Sequence, residues 1–266
     1  MQQIFDYINR FSHRYIFRGV PNKDFKLIPS LLREDAVDDY GNYYDEFLND
    51  AINKLNKIIK VDYLNCMEYL QHFNCKTNLL DFSYSFLVAL YFACSACHET
   101  DGKVYVLDVD KYEDYLKEIN DPTSRFIVNS ENVKKHLIAY NDDGSISIDG
   151  CGINLPVVID PNILFDRIKS QKGLFLLWGS NIYDLNTILK KVNDDKKIYQ
   201  EIIIKKELKK DILTLLDEKY SINEFSLMVR TEDINMKLEE LYSISDYFKY
   251  KKYKERTFAY EKNFKN

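Results

Sequence analysis

The chain has 266 residues, of which 45% are hydrophobic and 30% charged, with a formal net charge of −5. That is enough apolar material for one sizeable core or two small ones, and 21 Tyr and 16 Phe against 8 Gly and 5 Pro exclude a linker-rich or low-complexity chain. Five irregularly spaced cysteines and a polar opening, Met1-Gln2-Gln3-Ile4-Phe5-Asp6, argue against a secreted disulfide scaffold, and no apolar run nears the roughly 20 residues that span a bilayer. A cytoplasmic protein with no membrane segment is expected.

In chain order, Ile4, Phe5, Ile8 and Phe11 recur at near-helical spacing and predict a short amphipathic helix. A first strand over 14–18 ends at Arg18. Followed by Gly19, this arginine stands where backbone can approach a ligand closely and a planar guanidinium can grip phosphate or carboxylate. An ion pair with one of the chain's many acids is the alternative. Residues 42–60 carry Tyr44, Phe47, Leu48, Ala51, Leu55, Ile58 and Ile59 in helical phase, and 61–73 can continue as a second helix.

The stretch 69–93 organises the rest. Its first half gathers Gln71, His72, Thr77, Asn78, Asp81 and Ser83; its second, 86–93, is apolar on every side and predicts a helix sunk in the core. The polar half reads as a loop at that helix's N-terminal end, where amide groups and dipole favour anions. An ordinary core helix after a hydrogen-bonded turn is the competing account. His72 suits proton transfer through its ordinary pKa near 6.5, or is a core histidine bonded to Asp81. Cys94-Ser95-Ala96-Cys97-His98 has the spacing of a haem attachment or half a metal site, but further ligands are scattered and two small residues on a packed helix end explain it better.

A strand over 103–109, apolar on both faces, belongs inside its sheet. Asp110 with Glu113 resembles a capping box opening a helix through Ile119, and Asp108 marks the strand end. Residues 120–150 are weakly patterned and read as a connection or insertion. The strand at 155–159 takes an edge or a strand start because of Pro156. Further strands follow at 174–178 and 198–204, the last with Glu201 among isoleucines. Gln171 either faces a pocket or ties loop backbone together. Leu208, Ile212, Leu215 and Leu216 fall on one helix face, with Lys205, Lys206, Lys209 and Lys210 on a solvated remainder. Residues 249–266 hold a net charge of +5, leaving −10 for the body, and interleave Tyr250, Tyr253, Phe258, Tyr260 and Phe264. This composition suits a single-stranded nucleic-acid platform or a terminal helix docked on the acidic body. Residues 1–248 are taken as one domain with its core at about 10–230, and 249–266 as a basic aromatic tail. Without strict βαβ alternation, an α+β fold with a mixed or split sheet is expected.

Four blocks resemble the FRG-domain family: Phe17-Arg18-Gly19 followed by Ile28-Pro29-Ser30-Leu31-Leu32-Arg33; Leu70-Gln71-His72 with Leu79-Leu80-Asp81 and Val88-Ala89-Leu90-Tyr91-Phe92-Ala93; Arg167 through Phe175; and residues 201–213. Asn78 and Phe82 replace the more usual Arg and Trp. More distantly, the order of elements resembles the ADP-ribosyltransferase fold. That resemblance implies NAD as cofactor, with Arg18 as its anchor, Ser83 or Thr77 as the hydroxyl on the nicotinamide ribose, and Gln171 or Glu201 in the third place. Gln171 cannot be a general base there, because an amide takes up no proton near neutral pH. It implies a toxin or effector of bacterial defence, with Arg18, Gly19, His72, Thr77, Asp81, Ser83 and Gln171 around one pocket and an antitoxin or companion protein as partner. The other reading is a non-catalytic module for nucleic acid or a protein partner.

Overall fold

The structure, a computed structural model, describes residues 14–33, 62–72, 77–125, 155–162, 166–179 and 183–228, with single positions 53 and 128. The expected N-terminal helix, the helix over 42–60, most of the 120–150 connection and the 249–266 tail lie outside the described residues. Within them, six strands form one sheet: β1 (Tyr15–Val20), β2 (Leu79–Ser83), β3 (Gly102–Asp108), β4 (Val157–Ile159), β5 (Gly173–Leu177) and β6 (Tyr199–Ile204), in the order β4-β5-β2-β1-β3-β6. Every pairing is antiparallel. The fold is α+β as expected, and the sheet is antiparallel rather than mixed. Five expected strands are present within two residues of their expected ends. The end of the polar stretch read as a loop is instead β2, a central strand, because Leu80 and Phe82 point into the core on either side of exposed Asp81. No helix among the described residues is long and apolar enough to cross a membrane.

Each face of the sheet buries its own core. Ile16, Leu80, Tyr105 and Leu107 pack beneath α1 (Tyr63–His72) and α3 (Val109–Glu118). Phe17, Val104 and Val106 pack beneath α2 (Phe86–Cys94) and α6 (Lys209–Tyr220). The remaining helices are α4 (Asp166–Ser170), α5 (Leu185–Lys196) and α7 (Glu224–Leu227). β3 is buried along its whole length, as its all-apolar pattern requires, and β4, after Pro156, forms an edge. α3 is capped by Asp108, whose carboxylate accepts from Lys111 N at 3.1 Å. The expected cap, Asp110, accepts from Arg14 N at 2.9 Å instead, and Glu113 pairs with the same arginine's guanidinium. Strand end and cap therefore fall on one residue.

α2 lies against the sheet at backbone distance. A Cβ on Gly19 would stand 1.8 Å from Ala89 O, and one on Gly102 would stand 2.2 Å from Ala93 O. Two strand glycines thus face two helix alanines, and the close approach anticipated at Gly19 is occupied by the helix. Beyond its end, Lys209 of α6 is buried, its Nζ donating to Pro21 O at 2.7 Å, Ala96 O at 3.0 Å and Cys97 O at 2.9 Å. This corrects the expectation of a solvated lysine face: a cation satisfies the carbonyls just past the C-terminus of α2, where the dipole favours positive charge. Cys94 is buried at that same end, and burial pushes its thiol up to about 12. Such a thiol is inert near neutral pH.

Candidate functional site

β1 meets β2 at one register pair, Phe17 opposite Ser83, whereas β1 and β3 share six pairs and β2 and β5 share five. Past that pair the two strands part, and a cleft of about 260 Å³ is lined by residues of both. Arg18 spans the gap: its Nη1 donates to Asp81 O, a β2 carbonyl, and stands 3.8 Å from Asp81 Oδ2. Burial lowers the Arg18 pKa; Asp81 opposes this and Arg33 adds to it. Its Nε is buried with no partner among the described residues.

Asp81 is held from the other side. Gln71 Nε2, on the last turn of α1, donates to Asp81 Oδ2 at 2.8 Å. The orientation of that amide follows from Thr77, whose Oγ1 accepts from Leu79 N at 3.1 Å and gives its own proton to Gln71 Oε1. Thr77 is fully buried behind the cleft wall and serves Gln71, so the hydroxyl that reaches the cleft is that of Ser83. Ser83 Oγ donates to Gln171 O at 2.7 Å and accepts from Ser85 N at 2.9 Å. The Gln171 side chain combines both of its expected roles: it borders the cleft and its Nε2 donates to Leu227 O at 3.0 Å.

The cleft gathers Arg18, Gly19, His72, Asp81, Ser83 and Gln171. Glu201 is not among them. It sits on edge strand β6, separated from β1 by β3, and is occupied by Lys103 Nζ at 2.9 Å and Asn186 Nδ2 at 2.7 Å. The carboxylate that lines the cleft among the described residues is Asp81. α2 meets the cleft through Val88, Ala89 and Phe92 on its flank rather than by its N-terminus, which Ser85 caps. Asn78 and Phe82 have structural duties: Asn78 Nδ2 donates to Trp178 O at 2.7 Å, and Phe82 is buried in the core.

His72 lies at the end of α1. Burial, with Arg167 second, lowers its pKa from 6.5 to about 4, so it is neutral near pH 7 and a weak base. The side chain bonded to Asp81 is Gln71's, one position earlier. Because the unfolded chain binds a proton below about pH 6.5 that the folded protein refuses until about pH 4, stability falls as pH drops through that window. Urea midpoints at pH 7 and pH 5 are expected to differ less in His72→Gln than in the parent. Equal drops would mean that His72 titrates normally.

Arg167 is the cleft residue that sequence reading passed over, although it opens the Arg167–Phe175 block. It begins α4 beside Asp166, its Nη2 donates to His72 O at 2.6 Å, and burial lowers its pKa while Asp81 opposes that. The signal available was its place four residues before Gln171, the spacing that puts two side chains on one side of a helical turn.

Fold and cleft together define an antiparallel α+β domain with two guanidiniums and one carboxylate at a sheet parting. Residues 13–102 match the family model described as the FRG domain, so the chain carries an FRG domain across β1, α1, β2 and α2. No curated protein and no solved structure matches the chain.

Proposed function

We propose that the cleft is an NAD-using, ADP-ribosyltransferase-like site, and that the protein acts as a toxin-type effector of bacterial defence in the cytoplasm. The observation that carries this reading is Arg18, a partly buried guanidinium at a strand parting whose buried Nε has no partner among the described residues. A buried donor of this kind is costly unless something completes it, and a phosphate oxygen does so with charge-assisted geometry.

Bound NAD would supply a ribosyl carbon whose bond to nicotinamide breaks with the electron pair leaving on the ring nitrogen. Arg18 holds the phosphate side. Asp81, fixed by Gln71, offers an acceptor to a ribose hydroxyl and a standing negative charge against the positive charge that develops as the bond breaks. Ser83 Oγ donates its proton to Gln171 O and accepts from Ser85 N, which leaves it one further lone pair for a ligand donor. The aromatic side chains of Phe17, Phe92 and Phe175 exclude water on the apolar side.

In a thermal-shift titration, NAD is expected to stabilise the parent protein by about 2.7 kcal/mol at one hundred times its dissociation constant. Arg18→Ala should lose that shift, Glu201→Gln should keep it, and nicotinamide release should follow the same order. A full shift in Arg18→Ala removes this reading. A second reading, a non-catalytic module for nucleic acid or a protein partner, draws on the position of Glu201 outside the cleft and on the basic aromatic composition of 249–266.

A further inference from the structure

The charges around the cleft do not balance. Arg18 and Arg167 both line it, burial lowers the pKa of both, and Asp81 is the carboxylate present. With His72 neutral, the described cleft residues carry +1 near pH 7. Arg167 has five N–H donors, of which one hydrogen bond is described, to the backbone of His72. The lining also holds Phe17, Phe92 and Phe175, aromatic surface suited to a planar ring. The cleft, at about 260 Å³, falls under the roughly 300–1,000 Å³ of sites that enclose a drug-sized ligand. A volume of that size suits one nucleotide unit, with the rest of a longer ligand outside the cleft.

We infer that Arg167 is the second arm of a phosphate clamp with Arg18, and that the cleft takes the mononucleotide half of a dinucleotide, ring against the aromatic wall. This rests on the NAD reading for its choice of nucleotide. A phosphate is the part of that ligand whose charge meets the two guanidiniums, which line the cleft from different elements, β1 and α4. That placement explains why Arg167 is brought into a cleft instead of being left to cap α1 from the surface. Capping alone would be served by its Nη2 bond to His72 O, with no need for an anion.

The test is equilibrium binding of NAD, nicotinamide mononucleotide and nicotinamide riboside to the full chain and to Arg167→Gln and Arg167→Lys. The expected pattern is mononucleotide within about tenfold of NAD, and riboside, which lacks the phosphate, at least tenfold weaker. Arg167→Gln should weaken mononucleotide at least tenfold and leave riboside unchanged, with Arg167→Lys between. A purely structural Arg167 would weaken both ligands alike, and that result overturns the inference. If Arg167→Gln does not fold, Arg167→Lys carries the same comparison, since it keeps a cation at the end of α1 without the planar fork. NAD binding with no dependence on Arg167 sinks the clamp and leaves the NAD reading standing. Mononucleotide binding that depends on Arg167 without any NAD binding does the reverse. Binding of none of the three removes both.

Discussion

Gly19→Ala is expected to cost about 4 kcal/mol or more and to lower the yield of folded protein sharply. The added methyl would stand 1.8 Å from Ala89 O and 2.7 Å from Ala93 N, both backbone atoms of α2, so no side-chain rotation relieves the clash. The helix must lift away from β1, and with it go the contacts of Phe86, including its edge-on packing with Phe17 at 5.6 Å. Overpacking costs about 1–3 kcal/mol where side chains can give way, and more where backbone must move. Chemical denaturation of Gly19→Ala beside the parent measures it. A loss under about 1 kcal/mol would show that α2 does not lie at backbone distance from the sheet. Because Gly19 and Asp81 border the same parting, a lifted helix also spoils the cleft, so any binding defect in this variant reads as structural.

Lys209→Met is expected to destabilise the protein by about 3 kcal/mol. Methionine fills much of the same volume but takes a charged donor from the carbonyls of Pro21, Ala96 and Cys97, of which Cys97 O keeps Thr100 N; hydrogen bonds to charged groups contribute about 1.5–3 kcal/mol each before relaxation. At this size the loss corresponds to a melting temperature lower by about 6–12 °C. Lys210→Met, one position on and exposed, serves as the control and should move the midpoint by no more than about 0.5 kcal/mol. Similar effects at both positions would mean that the Lys209 ammonium is not buried among those carbonyls.

The pair of lysines shows where one-dimensional reading reaches its end. Lys205, Lys206, Lys209 and Lys210 look alike in a periodic pattern, and only the third turns inward, because α6 packs on α2 with the carbonyls of Ala96 and Cys97 directly in its path. Likewise Asp110 with Glu113 has the spacing of a capping box, yet Arg14, 96 residues earlier in the chain, claims Asp110 and leaves the cap to Asp108. The loop assigned around Asp81 fails for a related reason. Polar Asp81 and Ser83 mask a period-two pattern that becomes a strand once β5 pairs along all five residues.

Sequence alone determined the α+β class, five of the six described strands, the buried helix α2 and six of the polar or glycine residues that border the cleft, because hydrophobic periodicity and local polar clustering are short-range properties. The tertiary structure decided which of those polar groups share a space. It set Thr77 behind the wall, Glu201 across β3 on a distant edge, and Arg167 on the same cleft as Arg18 from a helix about 150 residues away in the chain. Such choices depend on strand order and on where two strands part, and no spacing within a single stretch of chain encodes them.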